Sequence, residues 1–301
     1  MVRHYLTLHL LVLIWGFTAI LGMLIEIPSV EVVFYRTSIA CVVLLGYILI
    51  RRKKLTPIFD RGGLFQLGTG VIIAAHWILF FLAARVSNVS VCLAGMATTS
   101  LWTAFLEPFY HRKRVQPFEV FLGFMAVVGM VVIFNVAFDF WLGLLLAIIS
   151  ALLSAIFTII NAEFVKKERD PFVITFYEML GAVVSIILFF PFYSSLRGGL
   201  VLEITWMDFL WLALLAVVCT VYAYSISVQL MKHISPFTMN LTVNLEPVYG
   251  IVLAVLIFGS REEMSAGFYV GTSLILMAVL AYPLFNKTFR RKPLPNRHAS
   301  P

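Results

Sequence analysis

Charge is what this sequence has least of. Of its 301 residues, 12% are charged and 61% are hydrophobic, whereas a soluble domain carries roughly 25% charged residues. A polar surface for a globule of this size cannot be made from that supply, so a soluble protein is excluded. Cysteine is almost as scarce. Cys41, Cys92 and Cys219 all lie inside apolar runs, which excludes a disulfide framework or a cysteine metal cage and leaves them as small hydrophobes. No HExxH pair, no Cys/His cluster and no G-x-S-x-G motif occurs, so the chemistry of an intramembrane hydrolase has no visible seat. The chain is therefore read as no enzyme, with no cofactor and no metal. Long polar stretches are missing too, which leaves no room for a soluble domain between the apolar segments.

What is present in quantity is apolar sequence, with 27 Phe and a mean hydropathy of +0.99. A helix needs about 20 apolar residues to cross a hydrocarbon core of about 30 Å. On that ruler the chain divides into ten spans near 5–25, 31–50, 64–84, 88–110, 117–135, 140–162, 171–192, 208–230, 235–258 and 265–285. Short connections hold most of the charge and the turn residues Pro28, Gly62-Gly63, Pro117, Pro171 and Gly198-Gly199. The opening MVRHYLTLHLLVLIWGFTAILG is long enough to span and is followed by no clear cleavage site, so it reads as a first span and not a signal peptide. The fold class expected is an all-α polytopic membrane protein, with a disordered basic tail over 287–301.

The net charge of +7 invites a nucleic-acid reading, but its distribution argues for topology. With the N-terminus inside, 18 of the 22 basic residues fall in cytoplasmic segments, as the positive-inside rule requires. Both termini are then cytoplasmic in a multi-pass protein of the inner membrane. The lipid bilayer and a small-molecule substrate are the expected partners, nucleic acid is not, and a monomer and a homodimer stay equally open.

An internal repeat emerges when the second half is slid against the first at an offset of 148. Ala75 meets Ala223, Ser87 meets Ser235, Leu93 meets Leu241 and Gly123 meets Gly271. Further back Phe17-Thr18 meets Phe157-Thr158, and FYR at 34–36 meets FYE at 176–178. Five spans per half is an odd number, so matching loops must lie on opposite sides. The charges agree: HRKR at 111–114 is basic where SREE at 260–263 is net acidic. Two inverted five-helix repeats over 1–136 and 137–286 follow, an arrangement typical of secondary transporters with a site near the midplane.

With WGFTAI in the first span, FYRTSIA in the second and NLEPVYGIVLAVLIFGSREEMSAGFYVGTSLILMAVLA at the end, the chain resembles the drug/metabolite transporter superfamily, and within it the EamA-type bacterial members. The resemblance covers nearly the whole length. It implies an inner-membrane carrier of small metabolites, often amino acids moved outward, working by alternating access. One departure is that Thr98-Thr99 stand where the second half has Glu246-Pro247.

Leu-Glu-Pro occurs twice, at 106–108 and 245–247, but the two glutamates are 139 residues apart and so are not repeat mates. Glu107 falls at the end of the fourth span beside HRKR. Glu246 lies about 11 residues into the ninth, or roughly 16 Å deep at about 1.5 Å per residue. A carboxylate at that depth costs at least about 2.5–3.5 kcal/mol and marks a functional site by default. Pro247 is expected to break the helix and free a carbonyl. Thr242, Glu246 and Tyr249 share one helical face, and Asn240 and Asn244 another. The plainer reading is a kinked helix with Glu246 bonded to a neighbour.

Arg36 is a candidate ligand for an anionic group, weighed against simple pairing with an acid. His76, opposite Tyr224 in the repeat, is read first as a satisfied interhelical donor. Trp15, Trp77, Tyr177 and Tyr224 are candidate walls of an apolar cavity, with Thr98, Thr99, Ser100 and Thr103 as the facing polar wall. The function expected is export of amino acids or other small organic metabolites. Efflux of amphipathic drugs is the alternative, followed by an intramembrane enzyme or a channel.

Overall fold

The computed structural model describes residues 2–55, 60–112, 115, 117–136, 138–259 and 264–289. In these the chain is all-α. The helices in chain order are α1 (Val2–Gly16), α2 (Thr18–Leu24), α3 (Ser29–Ile50), α4 (Arg61–Val86), α5 (Val89–Met96), α6 (Thr99–Tyr110) and α7 (Pro117–Val136). They continue as α8 (Trp141–Lys166), α9 (Pro171–Arg197), α10 (Trp206–Leu214), α11 (Ala223–Leu230), α12 (Pro236–Val243), α13 (Glu246–Phe258) and α14 (Ala266–Phe289). A π-helical segment, Leu215–Tyr222, joins α10 to α11. Among the described residues eight stretches, several made of two consecutive helices, are long and apolar enough to cross a membrane, and Ala266–Ala278 adds a shorter apolar helix. This is a polytopic membrane protein.

Local sequence explains where the helices begin. Asp60 accepts from the amide of Gly63, Asn88 from Val91 at 2.8 Å, and Asp170 from Phe172 at 3.0 Å with Pro171 in the first turn. Thr205 and Asp208 form a reciprocal capping box, and Ser235 caps α12 ahead of Pro236. Each satisfies amides that an α-helix leaves unpaired in its first turn. Gly198, at φ +80°, closes α9 in the left-handed conformation that suits glycine.

α14 runs on to Phe289, into the segment expected as a tail from 287; residues 290–301 lie outside the description, as do 260–263 and 113–114 from the two loops used in the repeat argument. The seventh span extends beyond 192 to Arg197, carrying Pro191 inside the helix. Three spans expected to be continuous are interrupted, at Phe17, at 97–98 and across the π segment; in the ninth, where a break at Pro247 was expected, the interruption falls at 244–245, before the proline.

The core lies where these interruptions meet. α4 packs on α8 and α9, α3 on α9, and α5 and α13 against each other, while α7 and α14 pair along their length. Where α4 and α9 cross, a Cβ on Gly70 would strike the carbonyl oxygen of Glu178, and one on Gly181 the carbonyl oxygen of Leu67. Backbone-to-backbone approach of that kind is what small residues permit between membrane helices.

Polar contacts gather at the two ends of the bundle. At one, Lys53 pairs with Asp170 at 2.5 Å, and Glu107 accepts from the amide of Phe237 at 3.1 Å. At the other, Arg85 donates to the carbonyls of Gly22 and Ile25 at 3.0 and 2.8 Å. There Glu31, fully buried, accepts from Tyr193 and from the amide of Val201.

Candidate functional site

Between the interrupted spans lies a cavity of about 80 Å³, room for a handful of waters at roughly 10–15 Å³ each. Seven of the expected residues line it. Trp15 comes from α1, Arg36 from α3, His76 and Trp77 from α4, Tyr224 from α11, Asn240 from α12 and Glu246 from α13.

Arg36 is 1% exposed, so each of its donors needs a partner. Its Nε donates to Thr220 Oγ1 at 2.7 Å, and the guanidinium lies over the Trp77 ring at 3.8 Å from the centroid. Nη1 has no partner. The π segment explains the first contact: Thr220 returns its own hydroxyl to the carbonyl of Leu215, five residues back, at 3.1 Å. One extra residue per turn thus puts Thr220 against α3, a use of π geometry common at functional sites. Composition and spacing gave no hint of it.

Glu246 sits at the first turn of α13, immediately after the interruption, where the positive end of the helix dipole favours an anion. It is buried at 6% exposure and interacts electrostatically with Arg36 across the cavity. Among the described residues no hydrogen bond or ion pair engages its carboxyl. A cation and an acid therefore face one cavity, each with unused capacity.

His76 is held more tightly than either. Its Nδ1 lies 2.8 Å from both the carbonyl oxygen and the hydroxyl of Ser150, and that hydroxyl donates to the carbonyl of His76 at 2.9 Å. A carbonyl only accepts, so Nδ1 carries the hydrogen. In the neutral ring the other nitrogen, Nε2, is then an acceptor. Tyr224 packs edge-on to Trp77, with centroids 6.1 Å apart. Trp15 donates from Nε1 to the carbonyl of Cys219 at 3.1 Å.

The other expected residues sit elsewhere. Asn244 donates to Ser100 at 2.6 Å, and Asn240, besides lining the cavity, donates to Thr103 at 2.8 Å. Thr242 returns its hydroxyl to Thr238 of its own helix, and Thr99 returns its hydroxyl to Met96 at the end of α5. Tyr249 packs beside Gly16 at the α1–α13 contact, and Tyr177 is buried against Phe176. The threonine-rich fourth span thus faces α12 and itself; Met96 is its one contribution to the cavity. Residues missed beforehand are Thr18, Thr158 and Ser227, with Phe80, Phe157 and Met239 supplying apolar wall. A small hydroxyl in an apolar helix has no sequence signal that separates lining from packing. Among the described residues no group of three or more His, Cys, Asp or Glu is placed to hold a metal.

Comparison with known proteins bears on the whole chain. The profile of the EamA-like transporter family matches residues 3–135 and again 141–283. No curated protein matches. Among 28 solved chains that do, one titled "Crystal structure of protein" superposes with a TM-score of 0.67 at 16% identity, over 94% of this chain and 98% of that one. At that identity the likeness speaks for the fold.

Proposed function

Because the chain belongs to the EamA-like transporter family, we propose that it is a secondary carrier that exports small zwitterionic metabolites, amino acids foremost, by alternating access. The observation that carries this reading is the pairing of Arg36 and Glu246 on one buried cavity, with Arg36 Nη1 and the Glu246 carboxyl both unengaged among the described residues. A substrate carboxylate answers the guanidinium in charge and geometry, and its ammonium answers Glu246. Desolvation of two opposite charges is offset only when each meets a partner, which favours a zwitterion over a simple anion or cation.

The architecture we infer is ten spans in two inverted repeats, 1–136 and 137–286, with both termini cytoplasmic. Three observations support it. The family profile matches twice in succession. Packing partners exchange between halves: α4 lies on α8 and α9, while the π segment and α11 lie on α3 and α1; α3 pairs with α9 and α7 with α14. The breaks between Met96 and Thr99 and between Val243 and Glu246 fall within one residue of the 148 offset. Such a repeat gives the two bundles equivalent outward and inward packings around a fixed site.

Transport of amphipathic drugs is the second reading, favoured by the methionines Met96, Met231 and Met239 beside Trp15 and Phe157 on the cavity, since methionine surfaces repack around varied shapes. Counterflow in proteoliposomes tests both. Saturable exchange of labelled leucine, competed by other apolar amino acids and not by cationic dyes, is the expected result. Exchange of dyes alone favours the second reading, and conductance without saturation defeats both.

A further inference from the structure

Glu178, on α9, is a second carboxyl in the apolar interior, and it does not line the cavity. It is 0% exposed, as is Asn161, and Tyr224 is 5% exposed. Asn161 Nδ2 donates to the Tyr224 hydroxyl at 2.6 Å, and that hydroxyl donates to Glu178 Oε2 at 3.1 Å. The directions are fixed, because the phenol has one hydrogen and the amide nitrogen can only donate. The chain ends on two orphans: among the described residues, Glu178 Oε1 and Asn161 Oδ1 are both buried acceptors with no partner. The donors that meet Glu178, the Tyr224 hydroxyl and the Asn161 amide, are both neutral, and they leave these two acceptors unfilled.

Among the described residues no cation meets Glu178. Tyr224 on α11 is the titratable group that meets Glu178, and Asn161 is what α8 presents. The charges on the other packed helices, His76 on α4 and Arg36 on α3, act on each other, and Arg36 on Glu246. An unpaired carboxylate in the interior is costly unless it is hydrogen-bonded throughout or carries a proton. Tyr224, meanwhile, is both a wall of the cavity and a hydrogen-bond donor to Glu178.

We propose that Glu178 is a second proton-carrying carboxyl, loaded from the cavity through the Tyr224 hydroxyl. The step balances as a concerted relay. A hydronium in the cavity gives its proton to the phenolic oxygen as the existing phenolic hydrogen passes to Glu178 Oε2. This leaves water, an intact tyrosine and a neutral carboxylic acid. Substrate handling stays with Arg36 and Glu246, so proton and substrate occupy distinct acids joined by one aromatic ring. The coupling role rests on the carrier reading above; the proton-carrying role does not.

The test is infrared difference spectroscopy of the purified protein between acidic and alkaline buffer, read at the carboxylic-acid C=O stretch. Wild type is expected to show a band that Glu178→Gln loses and Glu246→Gln retains. Tyr224→Phe is expected to keep the band while its hydrogen–deuterium exchange slows. The glutamine keeps the shape of the side chain and brings an amide donor for a spare acceptor, so this variant is expected to fold. Tyr224→Phe decides the matter if it does not. In proteoliposomes, Glu178→Gln should lose accumulation of labelled leucine driven by a pH gradient and keep leucine counterflow. A band indifferent to Glu178→Gln, unslowed exchange in Tyr224→Phe, or full gradient-driven accumulation in Glu178→Gln each overturns the proposal. Absence of counterflow in wild type sinks the carrier reading and leaves the infrared result to judge Glu178.

Discussion

Two spans of this bundle break at matching positions, yet only one carries a charge at the break. Between α5 and α6 the interruption falls at Thr98, and hydroxyls from Thr98, Thr99 and Thr103 return to the carbonyls of Gly95, Met96 and Thr99. Between α12 and α13 it falls at Leu245. There the amides of Asn240 and Asn244 reach across to α6, and Glu246 faces the cavity. One break is closed upon itself and the other is open to the cavity. Proline does not explain the difference, since the first break has none at its centre while Pro108 sits inside α6 without ending it. α5 and α13 pack against each other beside the two breaks; the residues placed there decide what each can do.

Removing the charge should break the comparison most sharply. A hydrogen bond to a charged group is worth about 1.5–3 kcal/mol, or roughly 10–150-fold in affinity at about 1.4 kcal/mol per decade. Glu246→Gln is therefore expected to weaken leucine exchange by that range, measured as the half-saturating concentration in counterflow. Thr98→Ala, at the matching break, should leave it unchanged. Equal losses in the two variants would mean that the broken backbone, and not the acid, makes the site.

Glu107 provides the next largest effect, and of a different kind. Its carboxyl accepts from the first-turn amide of Phe237 at the start of α12, so it acts as a helix cap supplied by another span. Loss of such a cap typically costs about 0.5–2 kcal/mol. Glu107→Ala should lower the thermal midpoint while counterflow per folded molecule is retained. The two Leu-Glu-Pro sites would then separate cleanly into a structural acid and a substrate-facing one.

How much of this was legible beforehand depended on the kind of signal. Spans read from apolar run length and turn residues coincide with helices almost throughout, because burial in hydrocarbon forces the backbone to satisfy itself. Glu246, Arg36 and His76 stood out because polar groups are expensive in that setting, and all three do line one cavity. Thr220 was invisible. Its position depends on a π turn that LAVVCTVY does not announce. The threonines of the fourth span were misplaced because an amphipathic face identifies what is polar, not which neighbour it meets; α12 fills the side on which a cavity was expected. Glu178 was noticed only as the repeat counterpart of Arg36, since the hydrogen bonds that distinguish it join α8, α9 and α11.

Smaller effects should sharpen the account of how the two broken spans are tied. Interhelical hydrogen bonds in membranes average about 0.6 kcal/mol and reach about 1.7 kcal/mol. Double-mutant cycles between Asn244 and Ser100, and between Asn240 and Thr103, are expected to return coupling in that range by reversible unfolding in detergent. Coupling near zero in both would show that the breaks are held by apolar packing alone.

The smallest expected effect concerns Pro247. It follows Glu246 in the first turn of α13, a position where a missing amide hydrogen leaves no intrahelical bond unmade. The break before it lies at 244–245 and has a proline-free counterpart at 97–98. Pro247→Ala should therefore leave both the interruption and leucine counterflow as they are, with exchange kinetics as the measurement. If counterflow instead collapses as far as in Glu246→Gln, the proline itself imposes the geometry that presents the acid. The likeness between the two breaks would then be one of position only.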